Sequence, residues 1–439
     1  MPDKQAGENL WRVHKAERGI WSEKMLRTLV RGVKGGKWFS LIDKVYADRT
    51  LSIAWEKAQS NAGACGVDGI TVGHFDKDSE ARLLAVKEHI KSGTYQPKPV
   101  KRARIKKLGS NQTRPLGIPT VTDRVVRQAV RMVLEPIYER RFAEHSYGFR
   151  PERSCHDALR RVSGQLADGY THVVDIDIQG YFDTIDQERL MSLLKEDVSD
   201  GALLTVIERF LKAGVLDDGI WEMSEDGVPQ GGVISPLLSN LYLDALDHLM
   251  EAKGYAMTRY ADDMVILCKS ADEAAEAHGT VQAWMEQARL KLHPEKTHTV
   301  DMREVGAHFD FLGYRFYRSE RRLMRLVRPK SLQKLRESIR KKTRRCNAHS
   351  MQTIIESINP TLRGWSGYFK QAHRGEHQKL DGWIRMRLRS IYRKRHRKRG
   401  RGRGSDHHRW PNRHFAELGL FSLVTAQREA MSLHKGVKR

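Results

Sequence analysis

Apolar and polar positions alternate along the chain with two different periods. Residues 171 to 178, THVVDIDI, repeat every second residue and predict a strand on which Asp175 and Asp177 share one face. RYADDMVILC, from Arg259 to Cys268, predicts a second acidic strand, and HFDFLGYRFY, residues 308 to 317, a third with clear alternation. SPLLSNLYLDALDHLM has helical spacing instead, with Ser235 placed to cap it and Pro236 at its first helical position. Further helices are predicted over DKDSEARLLAVKEHIKSG, AEAHGTVQAWMEQARLKL and QERLMSLLKE, with Asp183 and Asp186 as turn and N-cap residues before the last. TDRVVRQAVRMVLEPIYERRF is also read as a helix, capped by Thr122 or Asp123, and follows the strand-like PVKRARIKK. Residues 1 to 60 read as helices packed on a larger body through Trp11, Trp21, Trp38 and Phe39.

Strands and helices therefore interleave into a mixed α/β body that ends near residue 318. After residue 319 the strand signals vanish, and SLQKLRESIRKKTRR, MQTIIESI and LDGWIRMRLRSIY predict three basic helices in a bundle. The run RKRHRKRGRGRG, residues 393 to 404, has the composition of a solvated or disordered arm that orders on a partner.

Charge sharpens this division. The net charge is +24, but residues 319 to 439 hold 33 Lys and Arg against 8 Asp and Glu, while residues 1 to 318 hold 45 against 46. A segment so one-sided is suited to a polyanion, nucleic acid before an anionic membrane, because no long basic helix has a clean apolar face. No apolar run is long enough to span a bilayer and the N-terminus lacks the apolar centre of a secretory signal. The four cysteines show neither zinc-site nor disulfide spacing. The chain is thus expected to be soluble, intracellular and cytoplasmic.

The two acidic strands carry the chemistry. If Asp177, Asp262 and either Asp263 or Asp175 converge, their repulsion calls for divalent cations, and hard carboxylate ligands favour Mg²⁺. Two such ions, with Mn²⁺ as a substitute, can serve an in-line phosphoryl displacement. The bland alternative is that Asp262 and Asp263 end a strand and pair with Arg259 or solvent.

Tyr-Ala-Asp-Asp followed by an apolar strand resembles the polymerase motif of reverse transcriptases, and other motifs of that group occur in order. DIDIQGYFDTID resembles the segment bearing the first metal-binding aspartate, matched by Asp177. GVPQGGVISPLLSNLYL resembles the Pro-Gln-Gly motif, LHPEKTHTV the segment with a lysine near the departing pyrophosphate, and FLGYRF the primer grip. IKKLGSNQTRPLGIPTVTDRVVRQAV and SYGFRPERSCHDAL are similar to fingers motifs, and GWSGYF and WPNRHFAELGLFSL to a maturase-type C-terminal region. From about residue 50 onward the chain resembles a group II intron reverse transcriptase, or maturase.

That resemblance implies an α/β right-hand polymerase, with fingers and an antiparallel palm sheet, followed by an all-α thumb and maturase region. The domain limits it suggests are 1–60 for an N-terminal helical extension, 61–318 for fingers and palm, 319–392 for thumb and maturase region and 393–439 for a basic tail. It implies metal ligation by Asp177, Asp262 and Asp263, Lys296 as general acid, and Lys107 and Arg114 on the triphosphate. Gln230 would touch nucleotide and template. Phe182, with Tyr181 as its rival, would exclude a ribose 2′-hydroxyl. Arg393, Lys394, Arg395, Arg397, Lys398, Arg399, Arg401 and Arg403 would bind nucleic acid. The implied partners are the parent group II intron RNA, an RNA template with a DNA or RNA primer, dNTPs and target DNA, with no membrane. No homing-endonuclease pattern follows residue 410, so second-strand cleavage is not expected. Rival readings are a non-catalytic RNA-binding splicing factor, a host-domesticated reverse transcriptase in DNA repair or phage defence, and an RNA-templated RNA polymerase.

Overall fold

A computed structural model describes residues 19–33, 35–106, 113–223, 226–402 and 404–436. Lys107 and Arg403 lie outside the described residues, as does the side chain of Arg114. The chain divides into two units, one ending at Thr299 and one beginning at Val300, each with its own apolar core.

In chain order the strands associated with the first unit are β1 (Val100–Lys106), β2 (Thr113–Ile118), β3 (His172–Asp177), β4 (Val215–Asp217), β5 (Ile220–Glu222), β6 (Ala256–Tyr260), β7 (Asp263–Cys268) and β8 (His298–Asp301), the last crossing the unit boundary. They form two four-stranded sheets, ordered β2-β1-β4-β5 and β6-β7-β3-β8. In the second sheet β3 and β6 both run antiparallel to β7. Val174, Ile176, Met264 and Ile266 are almost fully buried on one face, which the helix Ala271–Gln287 covers. The opposite face pairs Val173 with Leu267, Asp175 with Val265 and Asp177 with Asp263. Period-two alternation thus turns the same six residues of β3 into an apolar floor on one side and an acidic edge on the other.

RYADD is a hairpin rather than one strand. Tyr260 pairs with Asp263, leaving Ala261 and Asp262 as a two-residue turn, with Ala261 at φ 59°. The helix Val121–Glu139 is capped by Thr120, two residues before Thr122 and three before Asp123, and the Thr120 hydroxyl accepts the Asp123 N–H at 3.1 Å. Asp123 has other partners: its carboxylate accepts from the hydroxyls of Tyr95 (2.5 Å) and Thr120 (2.7 Å) and from the Lys98 amide (3.2 Å). Ser235 lies inside the helix Ser235–Ala252, where its hydroxyl donates to the Pro229 carbonyl at 2.8 Å. Asp186 does cap its helix, accepting from the Arg189 amide at 2.8 Å.

In the second unit HFDFLGYRFY is likewise a hairpin, of β9 (His308–Phe311) and β10 (Tyr314–Arg318), turning at Leu312 and Gly313, both at positive φ. A further strand, β11 (Leu323–Val327), pairs with β10, so strand structure continues a few residues past 319. Helices follow at Pro329–Lys342, Met351–Tyr368 and Arg374–Arg395. Residues 393–404 are not a free arm over the described part. The long helix runs to Arg395, and beyond the Gly-rich run Trp410, Phe415 and Leu423 return to the core formed by Ile354, Ile358, Leu362 and Leu388.

Candidate active site

The acidic edge of the second sheet rests on a buried polar network. Arg259, fully buried, donates from Nε and Nη2 to both oxygens of Asp247, itself fully buried on the helix Ser235–Ala252. Its Nη1 donates at 3.0 Å to the Asn240 side chain and at 3.0 Å to the carbonyl of Ala261, within the turn. The ion pair outweighs burial and holds the guanidinium pKa above its ordinary value. The three nitrogens of Arg259 are thus engaged with Asp247, Asn240 and the turn backbone.

A second element braces the same hairpin from outside the sheet. The Arg259 amide donates to His145 O (3.0 Å) and the Tyr147 amide to Arg259 O (2.9 Å). Asn240 donates to Gly148 O at 2.8 Å. Gly148 lies so close that a Cβ there would stand 2.2 Å from the Ala261 nitrogen. Arg150, buried, stiffens this segment through the Ser146 carbonyl (2.8 Å) and Glu139 (3.0 Å).

On this support Asp177 and Asp263 stand directly opposite each other on adjacent strands, and Asp262 occupies the turn beside them. Lys296 donates to Asp177 Oδ1 at 2.9 Å, while the Asp177 backbone is tied to Thr297 and to the His293 amide (2.8 Å). Among the described residues no group of three or more His, Cys, Asp or Glu side chains forms a ready metal cage. The pair nonetheless has the character of a cation site. Like charges directly opposite on paired strands repel, and the Lys296 ammonium already stands where a cation relieves that repulsion.

A cavity of about 430 Å³ is lined by Phe182, Gln230, Pro229, Leu116, Asp183 and Arg102, and none of Asp177, Asp262 and Asp263 is among its lining residues. Tyr181 does not line it: that ring is 2% exposed and its hydroxyl donates to the Ser239 carbonyl at 2.7 Å. Burial, together with the nearby Asp262 charge, raises the Tyr181 phenol far above its ordinary pKa. Gln230 accepts the Gly117 amide through its backbone oxygen at 2.6 Å, which ties the Pro-Gln-Gly turn to β2. Arg114 sits opposite Ile105 in the β1–β2 register. Arg102 and Arg104 both reach Asp217, at 3.3 and 2.5 Å.

Comparison with known proteins adds the family. Residues 105–316 match the family described as Reverse transcriptase (RNA-dependent DNA polymerase), and residues 332–410 match Group II intron, maturase-specific domain. Protein YkfC of Escherichia coli (strain K12) is 35% identical over 306 residues, 60% of this chain and 78% of that protein. The chain belongs to the group II intron reverse transcriptase and maturase family. Its polymerase domain is that of an RNA-directed DNA polymerase, with the fold class this entails, fingers and an antiparallel palm sheet followed by a helical C-terminal region. Reverse transcriptase domains work with divalent metal ions. The group II intron-encoded protein LtrA of Lactococcus lactis subsp. cremoris is 43% identical over 195 residues, 44% of this chain but 32% of LtrA, so this reverse transcriptase spans about a third of that relative. A solved telomerase from Candida albicans, in complex with a fragment of telomeric RNA, is 14% identical, covers 73% of this chain and 64% of its own, and has a TM-score of 0.42.

In the maturase-specific part, the basic candidates separate by what they touch. Arg393 donates to Asp406 (2.7 Å) and to the Arg399 carbonyl (2.6 Å), and so staples the Gly-rich run to the helix. Arg395 donates to the His349 carbonyl. Lys394, Arg397, Lys398, Arg399 and Arg401 are exposed. Sequence reasoning missed Gly148, Asn240 and the Arg259–Asp247 pair. One signal was present: Asp247 is a charged residue among the inward-facing apolar positions of SPLLSNLYLDALDHLM, and such a residue is buried with a partner.

Proposed function

We propose that this chain extends a primer on an RNA template by nucleotidyl transfer, and that it binds its parent group II intron RNA to assist splicing and mobility. The observation that carries the polymerase half is the pairing of Asp177 with Asp263 at the edge of the palm sheet, with Lys296 on Asp177 Oδ1. Asp177, Asp262 and Asp263 would hold Mg²⁺, two ions in our reading, with Mn²⁺ able to replace it. When bound, the metal supplies charge neutralisation for the attacking and leaving oxygens.

The chain's own residues do the rest. The cavity walled by Phe182 and Gln230 takes the dNTP, with Gln230 against its base and template, and with Lys107 and Arg114 on its phosphates. Phe182, at the wall of that cavity, leaves no room for a 2′-hydroxyl; Tyr181, buried and hydrogen bonded elsewhere, is the weaker rival. As the primer 3′-hydroxyl gives up its proton to solvent and its oxygen bonds to the α-phosphorus, the bond from that phosphorus to pyrophosphate breaks. Lys296 Nζ, which donates to Asp177 Oδ1 here, would turn from that carboxylate to give its proton to the leaving group. The exposed part of the 393–403 run holds intron RNA through phosphates, so its affinity falls steeply with salt.

The test is primer extension on an RNA template with Mg²⁺ and dNTPs, beside RNA binding by filter retention. Asp262→Asn should abolish synthesis and leave RNA binding unchanged. Loss of both together would identify Asp262 as structural, and absence of any product from the native chain would favour the splicing-factor reading.

A further inference from the structure

The second unit holds a cavity of about 320 Å³ that none of the family motifs accounts for. It is lined by Arg340, Arg345, Arg387 and Arg401 together with Trp383 and Met386. Among the described residues no carboxylate lines it and none of the four arginines has an ion-pair partner. Elsewhere in the unit Arg315 and Arg328 share Asp310, Arg385 approaches Asp381 and Arg393 holds Asp406, so the few carboxylates present are engaged away from this cavity. The walls are held in place. Arg387 donates from Nε to the Thr343 hydroxyl and from Nη2 to its carbonyl, both at 2.7 Å, and Arg345 donates to the Gly400 carbonyl at 2.9 Å. Gly402 donates to the Ser390 hydroxyl at 3.1 Å, and a Cβ at Gly402 would meet Arg389 Cβ at 2.4 Å, so the loop closing the cavity lies flat against the helix. Burial, and then the charge of Arg340, lower the Arg387 guanidinium pKa from its ordinary value.

Four like charges gathered round one concavity repel each other, and an anion bound among them removes that cost. The concavity is also partly apolar. The guanidinium groups of Arg340 and Arg387 lie 5.9 and 5.5 Å from the Trp383 ring centre, so aromatic and guanidinium planes, the surfaces on which unstacked bases pack, stand together. The volume lies at the small end of ligand pockets, suited to one nucleotide and too small for a helix.

We propose that this cavity receives a single unstacked ribonucleotide of a bound RNA, its phosphate among Arg340, Arg345 and Arg401 and its base against Trp383 and Met386. The inference rests on the intron-RNA half of the proposed function and gives it a place. It adds recognition of an RNA bulge or loop to the general attraction of a basic surface.

The test uses the full chain and a 15-nucleotide single-stranded RNA carrying 5-iodouridine. Photo-cross-linking followed by peptide mapping should place the adduct on the segment containing Trp383 and Met386. Trp383→Leu should lose it and Trp383→Phe retain it. Arg340→Gln with Arg345→Gln should weaken binding of that RNA about tenfold and reduce the slope of log affinity against log salt by about 2. A blunt RNA duplex should bind the double variant as it binds the native protein. Cross-links confined to other segments, an equal loss for the duplex, or single-stranded DNA of the same sequence affected as strongly as RNA would each overturn the proposal. Primer extension on a preformed duplex, measured on the same preparations, separates the two ideas: native protein that does not polymerise sinks the catalytic reading and leaves the cross-link result standing.

Discussion

Replacing Gly148 by alanine adds one methyl group against the backbone of the acidic turn. The new carbon would lie 2.2 Å from the Ala261 nitrogen, 2.8 Å from the Tyr260 carbonyl carbon and 3.0 Å from Ala261 Cα. Heavy atoms of this kind rest at about 3.5–4.0 Å, so one of the two backbones must retreat by roughly 1 Å. Neither side can yield cheaply. Residues 145–150 are tied down by Arg150 and Asn240, and Ala261 already holds a positive φ. Overpacking of this size costs about 1–3 kcal/mol. A misplacement of about 1 Å at reacting groups can cost on the order of 10²-fold in rate. The assay is single-turnover addition of one dTTP to an oligo(dT) primer on poly(rA), beside urea unfolding. Gly164→Ala is the control: that helical glycine has no atom within 4 Å of its built Cβ, so the change should stabilise by about 0.5–1 kcal/mol and leave the rate alone. Gly148→Ala with a rate within about twofold of native would refute the claim that this glycine positions the turn, because the retreat would then leave the acids where they were.

Other substitutions probe neighbouring steps. Arg259→Met or Asp247→Leu alone should destabilise by about 3–5 kcal/mol in urea unfolding, since each leaves a buried charge unpaired, whereas the double variant should recover much of the loss. Lys296→Met breaks an ion pair whose partners are 56% and 41% exposed, so stability should change by less than about 1 kcal/mol. Extension should nonetheless slow by about 10²-fold or more if Lys296 is the proton donor. Phe182→Ala should admit ribonucleotides with dNTP use largely kept, and competition between dTTP and UTP would reveal an unchanged preference if the gate lies elsewhere. Burial lowers the His145 pKa below 6.5, despite Asp247 nearby and with Arg161 and Arg259 acting in the same direction as burial. The unfolded chain therefore takes up this proton first as pH falls, and stability present above about pH 6.5 is lost toward the lower folded pKa. Denaturation midpoints from pH 7.5 to 5 should fall, and less steeply in His145→Gln.

Much of the palm was legible because its signal is periodic. DIDI alternates and MVIL is an unbroken apolar run behind the acids, and two such strands laid antiparallel bring their acids to one edge whatever connects them. The turn itself was hidden. Ala261 at positive φ has none of the Asn-Gly or Asp-Gly character that marks a tight hairpin, so RYADDMVILC reads as one strand. The cap at Thr120 was obscured in another way: three polar residues compete within four positions, and Asp123 was taken out of the competition by Tyr95 and Lys98. Composition misled at 393–404, because the carboxylate that anchors Arg393 belongs to Asp406, beyond the run that looked like an arm. Lys107 and Arg403 stay as expectations from the motif and the charge run alone.

The buried pair beneath the turn explains why a palm would carry a fully desolvated arginine at all. A buried ion pair is weak evidence for stability, since apolar residues of the same shape often do as well. Arg259, however, does not only meet Asp247: the same guanidinium donates to the Ala261 carbonyl and to Asn240, which in turn donates to Gly148 O. An apolar replacement could fill the space and keep the sheet folded, but it could not hold a carbonyl of the turn and, through Asn240, the strap over it, in one arrangement. The network therefore acts on where the acids sit more than on whether the sheet forms. That is why Arg259→Met combined with Asp247→Leu should regain unfolding free energy while failing to regain primer extension, and recovery of both together would mean that packing alone sets the turn.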